Sequence, residues 1–282
     1  MAVEGFLQAG ELEETLIQLQ AQVRDAPSKA ELRIFLFQLL VVMGQWQRAL
    51  TQLNVAGELD AAALAMVQTY REAIRCEVLR AEVFAGKRSP LLFGQPAQWA
   101  ANLVEALRLS AEGHYAQSSD LREKAFELAP ASTGVCDGKR FDWIADADMR
   151  LGPMLEAIVN GQYYWIPFNQ IQQITIEEPV DLRDMVWMPA YFVWANGGES
   201  VGLIPSRYPG SEACEDDAIR LARKTEWQQY GEGLYFGFGQ RVLSTDEDEY
   251  SLMDIRSISL DTVMEPGDLK TGSVTTDGVC GG

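Results

Sequence analysis

Gly10-Glu-Leu12-Glu-Glu-Thr15-Leu16 is followed 34 residues later by Gly44-Gln-Trp46-Gln-Arg-Ala49-Leu50, with Leu19 matched by Leu53. That offset is the period of a tetratricopeptide repeat. A third copy, Gly113-His-Tyr115-Ala-Gln-Ser118, has its glycine 17 residues before Pro130, and Gly10 stands 17 residues before Pro27. Each glycine permits a tight turn between antiparallel helices, and the leucine or aromatic two residues on fills the gap between them. The small residue one turn later lets the helices approach, and the proline ends the second helix. The middle copy has Ala61 in place of its proline, so Leu59 to Ala85 is expected as one long helix. Gly86 to Pro96, with two prolines and two glycines, reads as a loop that interrupts the array.

The chain has 282 residues, enough for two domains with their own cores. It carries 23 Lys and Arg against 41 Asp and Glu, a net charge of -18. Such a charge repels phosphate backbones and anionic lipid, so neither nucleic acid nor a membrane surface is the expected partner. The excess is uneven, with a net charge of -4 over residues 1–130 and -14 over 131–282. The single histidine, His114, excludes Cys/His zinc sites and two-histidine metal centres built within one chain. Cys76, Cys136, Cys214 and Cys280 are widely spaced and form no paired motif. The first residues lack a basic, apolar leader pattern, and the longest apolar stretch, Ile34 to Met43, is too short to span a bilayer. The expected setting is cytoplasmic, with reduced thiols and no membrane insertion.

Repeats of this kind expose a concave face formed by their first helices. Alignment on the turn glycine puts Ile34, Gln38, Val41 and Val42, and then Leu103 and Leu107, on that face. A groove for an acidic peptide tail needs Lys and Asn donors. This face is apolar instead, and suits the greasy side of an amphipathic helix, either a partner's or the protein's own.

After Pro130 the pattern changes to short aromatic runs of period two. Tyr163 to Phe168, Ile171 to Glu177, Ala190 to Trp194 and Tyr235 to Leu243 read as strands, and Ala218 to Trp227 also alternates. A short helix is expected around Gly152 to Val159. Few helical segments separate these strands, so the sheet is expected to be mostly antiparallel. The fold class is therefore α+β: a tetratricopeptide-like all-α domain at 1–130, a β-rich domain at 131–260, and a disordered tail at 261–282.

Three constellations in the β-rich half invite a chemical reading. Asp146 and Asp148 form an Asp-x-Asp pair, and with Glu226 and Arg241 they would build a carboxylate- or metal-dependent hydrolase. Gly237-Phe-Gly239-Gln-Arg241 has the glycine spacing of a phosphate cradle but no helix following it. Trp165, Trp187 and Trp194 offer an alternative partner surface to the repeat face.

Several motifs carry a resemblance. Asp137-Gly138, Phe141-Asp-Trp-Ile-Ala-Asp-Ala-Asp148 with Arg150-Leu-Gly-Pro153, and Asn160-Gly161 leading to Tyr163, Trp165 and Pro167 come first. Asp181-Leu-Arg-Asp184, Trp187-Met-Pro189, Arg207-Tyr-Pro-Gly-Ser211, Arg223-Lys-Thr-Glu-Trp227 and Gly239-Gln-Arg241 follow in order. With these the chain resembles the ImpE/SciE/TagJ family, accessory proteins of the bacterial type VI secretion system. The resemblance implies a non-enzymatic adaptor that binds the N-terminal helix of the sheath subunit TssB and contacts the sheath-disassembling ATPase ClpV. It supplies no catalytic residue, metal or cofactor.

Overall fold

In a computed structural model the described residues are 10–95 and 97–262, so the expected tail lies almost wholly outside them. Among the described residues six helices come first: α1 Leu12–Asp25, α2 Ala30–Val42, α3 Trp46–Leu59, α4 Leu64–Phe84, α5 Gln98–Ala111 and α6 Tyr115–Leu128. Gly44 and Gly113 make the turns between α2 and α3 and between α5 and α6, with φ of +66° and +83°. In both turns the residue after the glycine donates its N–H back across the helix end, Gln45 to Leu40 O and His114 to Leu109 O, each at 2.8 Å. Thr15, Ala49 and Ser118, the small residues of the three copies, are all fully buried, as close helix approach requires. The long middle helix is shorter than expected. Asp60 accepts the Ala62 N–H at 2.9 Å and opens a single 3₁₀ turn, Ala61–Ala63, before α4 begins.

The interrupting loop contributes a short strand, β1 (Leu91–Leu92). The strands after it are β2 Gly134–Cys136, β3 Lys139–Phe141, β4 Ile144–Asp146, β5 Met154–Val159, β6 Gln162–Pro167, β7 Ile171–Ile176, β8 Trp187–Trp194 and β9 Glu199–Pro205. A one-turn helix α7, Asp217–Arg220, precedes β10 Thr225–Gly231, β11 Leu234–Gly239, β12 Val242–Thr245, β13 Glu249–Ser251 and β14 Ser257–Leu260. Nine strands form the main sheet in the order β1-β6-β5-β9-β8-β7-β14-β2-β3, flanked by the β10-β11 hairpin and a β13-β12-β4 sheet. Every pairing is antiparallel except that of β1 with β6, so the fold is α+β with a helical half followed by a mostly antiparallel half.

Three local expectations are corrected. Met154–Val159 is a strand, because all six of its residues are buried and a strand covered on both faces shows no alternation to distinguish it from a helix. Ala218 to Trp227 is not one strand. Asp216 accepts the Ala218 N–H at 2.7 Å and starts α7, and Ala222 then takes φ of +52° before β10 begins. The run Tyr235 to Leu243 breaks at Gly239, whose φ of +90° ends β11 and redirects the chain into β12.

The change from helix to strand near residue 130 does not divide the apolar core. Leu12, Phe37, Val41, Leu103 and Leu107 share one cluster with Met154, Ile158, Tyr163, Trp165, Trp187 and Leu203 of the sheet. The other face of the same strands, Leu155, Ala157, Ile166, Met188 and Phe192, closes a second core with Ile174 and Ile258. The sheet is thus a shared wall, with period-two side chains alternating between the two cores. A β-carbon on Gly239 would lie 2.0 Å from the Lys224 carbonyl oxygen. Gly239→Ala is expected to lower stability by at least about 2 kcal/mol in urea unfolding, from clash and left-handed strain together.

Candidate functional site

The predicted concave positions are not open. Gln38, Val41, Val42, Leu103 and Leu107 are buried, and only Ile34 is partly exposed. The protein's own second half occupies this face. The Arg207 guanidinium donates to the Val42 carbonyl at 2.7 Å and to the Val41 carbonyl at 3.0 Å, and Leu182, Met185 and Val186 pack into the same core. The C-terminal carbonyls of α2 are therefore satisfied from a distant segment. The three tryptophans are also corrected as a surface. Trp165 and Trp187 are fully buried between helices and sheet, against Phe84 at 5.9 Å and Tyr70 at 5.7 Å, and Trp194 stacks on Phe192 at 4.9 Å on the opposite face. Aromatic strand residues fill the junction, where their large apolar surface is removed from water.

The carboxylates proposed for chemistry belong to a buried ion network. Glu156 on β5 takes two hydrogen bonds from Arg80 of α4, at 2.7 and 2.9 Å, a third from the Tyr163 hydroxyl, and one from Arg241. Arg241 also grips Asp146 and donates to the Pro205 carbonyl at 2.9 Å. Beside it, Asp148 takes the Arg150 guanidinium in a two-pronged pair at 2.9 and 2.6 Å, and accepts the Gly237 N–H at 2.8 Å. Glu77 completes the helical side, accepting the Trp187 indole N–H at 2.9 Å. Glu226 is elsewhere in character, exposed and paired with Lys224 at 2.6 Å.

Burial pushes the Asp146 carboxyl up to about 6 even beside Arg241. Burial also pushes Glu156 upward, but Arg80 and Arg241 together outweigh it and hold that carboxyl at about 2. Two guanidiniums against one make the difference. The glycine pair of the supposed phosphate cradle serves this network too, since Gly237 caps Asp148 while Gly239 donates its N–H to the Ser211 hydroxyl at 2.8 Å. Among the described residues no group of three or more His, Cys, Asp and Glu side chains is placed to hold a metal ion. Among them, too, no helix is long and apolar enough to cross a membrane.

A groove of about 780 Å³ lies open between α4 and the sheet. Its floor crosses three strands in register, since Thr175 pairs with Tyr191 and Tyr191 with Val201. These side chains share a sheet face with the buried Trp187 and Leu203, by period-two alternation. The helical layer covers Trp187 and stops short of Tyr191 and Val201, which are 38% and 74% exposed. Met66, Thr69 and Tyr70 of α4 form the wall, with Arg183 lying 4.7 Å over the Tyr70 ring. Sequence reasoning missed this groove. The alternation of β8 and β9 places Tyr191 and Val201 on one face, but nothing local says where the covering helices end.

A family model described as ImpE protein matches residues 138–259. The chain is 53% identical over 261 residues to the type VI secretion system accessory component TagJ of Pseudomonas aeruginosa, covering 93% of this chain and 92% of that protein. It also superimposes on the crystal structure of a Vibrio parahaemolyticus protein with a TM-score of 0.85 at 25% identity, covering 94% of this chain and 99% of that one.

Two outcomes test the buried parts. Leu103→Asp is expected to unfold the chain, costing about 3 kcal/mol or more, because a carboxylate would enter a fully buried site; circular dichroism melting reads this directly. Glu156→Gln is expected to cost about 3–5 kcal/mol at pH 7, since it strips two buried guanidiniums of a shared anion. Glu156 has a depressed folded pKa, so its contribution is full above about 4.3 and is lost as pH falls through about 2. Urea unfolding of both proteins from pH 7 to pH 3 should show a constant gap that narrows only below about pH 4.

Proposed function

The chain belongs to the ImpE family, and on that premise we propose that it is a non-enzymatic accessory component of a bacterial type VI secretion system. In this reading it is a cytoplasmic adaptor that binds the N-terminal helix of the sheath subunit TssB and links the sheath to the ATPase ClpV. The observation that carries the accessory role is the 53% identity to a protein of that name along 93% of the chain. The geometry supports an adaptor in place of a hydrolase. Asp146, Asp148 and Arg241 are buried and joined in ion pairs, so each is occupied by a structural partner and none faces a cleft where substrate could reach it. A general acid or base needs hydrogen-bond reach to a reacting group, and these have none to spare.

The acidic surface of the second half supports a protein partner guided by charge, because complementary fields raise association rates. Full-length TssB and a version lacking its N-terminal helix, titrated into this protein by calorimetry, test the sheath link. Deletion of the helix is expected to weaken binding more than tenfold, and gel filtration with ClpV is expected to yield a co-eluting complex. Equal affinity for both TssB forms would overturn the helix reading, and separate elution would overturn the ATPase link.

A further inference from the structure

We infer that the outer edge of β10 is an interface between two copies of this chain, whose β10-β11 hairpins join as one antiparallel sheet across a two-fold axis at Trp227. The inference goes beyond the adaptor reading and does not rest on it.

Most terminal sheet edges of the structure are unfit to receive a strand. β1 has two residues, β4 and β13 have three each, and β3 has three of which Lys139 and Arg140 are charged. Short length and charge are the usual guards against edge pairing. The free side of β11 is already used, since Gly237 donates its N–H to Asp148 and Gly239 to the Ser211 hydroxyl. β10 differs from all of these. It pairs with β11 alone, no other backbone group among the described residues bonds to Thr225–Gly231, and the strand contains neither Lys nor Pro. Glu226 and Gln228 on one face and Trp227 and Gln229 on the other are exposed, so the described residues overhang neither side of the edge.

Register and charge favour a second copy as the occupant. β10 is regular from Thr225 to Gln229, beyond which its register shifts, and five residues are an ordinary strand length. Antiparallel pairing of this segment with itself is centred on its middle residue, Trp227. Thr225 then faces Gln229 of the other copy and Glu226 faces Gln228, with no like charges opposed. Moving the axis to Glu226 would set that carboxylate against its own copy, and moving it to Gln228 would draw the irregular Tyr230 into the pairing. The Trp227 indole is 41% exposed and leans on Tyr208 at 5.5 Å, whose ring lies over Gly237 of β11. Opposed residues of an antiparallel pair share a face, so the axis brings two exposed indoles together and continues the row of rings from one copy to the other. The net charge of -18 on each copy opposes association, so the dimer strengthens with salt. A small edge interface of this kind has micromolar affinity.

Sedimentation velocity of the full chain tests the interface. Wild type is expected to dimerise in the micromolar range, and more tightly at high salt. Trp227→Lys and Trp227→Glu each oppose like charges across the axis and are expected to dimerise at least tenfold more weakly. An equal mixture of the two variants is expected to restore a dimer. Leu91→Lys, at an exposed position of the β1 edge, is expected to leave the wild-type dimer unchanged. Unaltered melting temperatures establish that the variants are folded. A wild type that stays monomeric at every concentration overturns the interface, and so does a dimer that survives both Trp227 variants. If the two variants and their mixture are all monomeric, the axis at Trp227 is overturned. None of these outcomes touches the adaptor reading.

Discussion

The hydrogen-bonded chain from Arg80 through Glu156 to Arg241 and Asp146 is the constraint on which the rest of the structure depends. Arg80 belongs to the helical half, and the other three belong to the strand-rich half. A buried charge without its partner is costly, so these ion pairs favour the observed packing of the two halves. That packing lays α4 across β5 and β6, puts Trp165 and Trp187 under the helices, and lets Arg207 reach the end of α2. Charged groups here act as a register device within a core that is otherwise apolar.

The same constraint explains why Asp146 and Asp148, which look catalytic in the sequence, are each held by a structural partner. In an acidic chain an Asp-x-Asp pair draws attention because its surroundings are unknown. Asp146 and Asp148 point into the wall between two cores, and each finds its own arginine there. Their perturbed environment comes from burial and charge pairing, which structural ion networks share with active sites. The glycines at 237 and 239 likewise approach backbone and carboxylate from within the protein, where an added β-carbon would collide with Tyr208 or Lys224.

Much of the fold was legible because its signals are local. Gly44 and Gly113 specify left-handed turns, and Thr15, Ala49 and Ser118 specify close helix approach; each follows from its own few neighbours. The strands covered on one face also showed their period. Met154–Val159 did not, because both its faces are buried, and Ala218 to Trp227 misled because Asp216 caps a short helix that alternation alone cannot reveal. The site was less legible. Val42, Leu103 and the tryptophans were identified as apolar, but apolar residues on a helix stripe or strand face look the same whether a partner or the chain itself covers them.

From sequence alone come the repeat period, the turn positions and the order of helices before strands. The resemblance carried by Phe141 to Pro153 and the later motifs belongs there too, since it needs no coordinates. Tertiary structure decided which apolar faces are covered. Trp187 and Tyr191 stand on one face of one strand, the first fully buried and the second exposed, because α4 ends its coverage between them. Period-two geometry determines the direction of a side chain, whereas its burial depends on a helix more than 100 residues away in the chain and on the buried ion pairs that hold that helix in place.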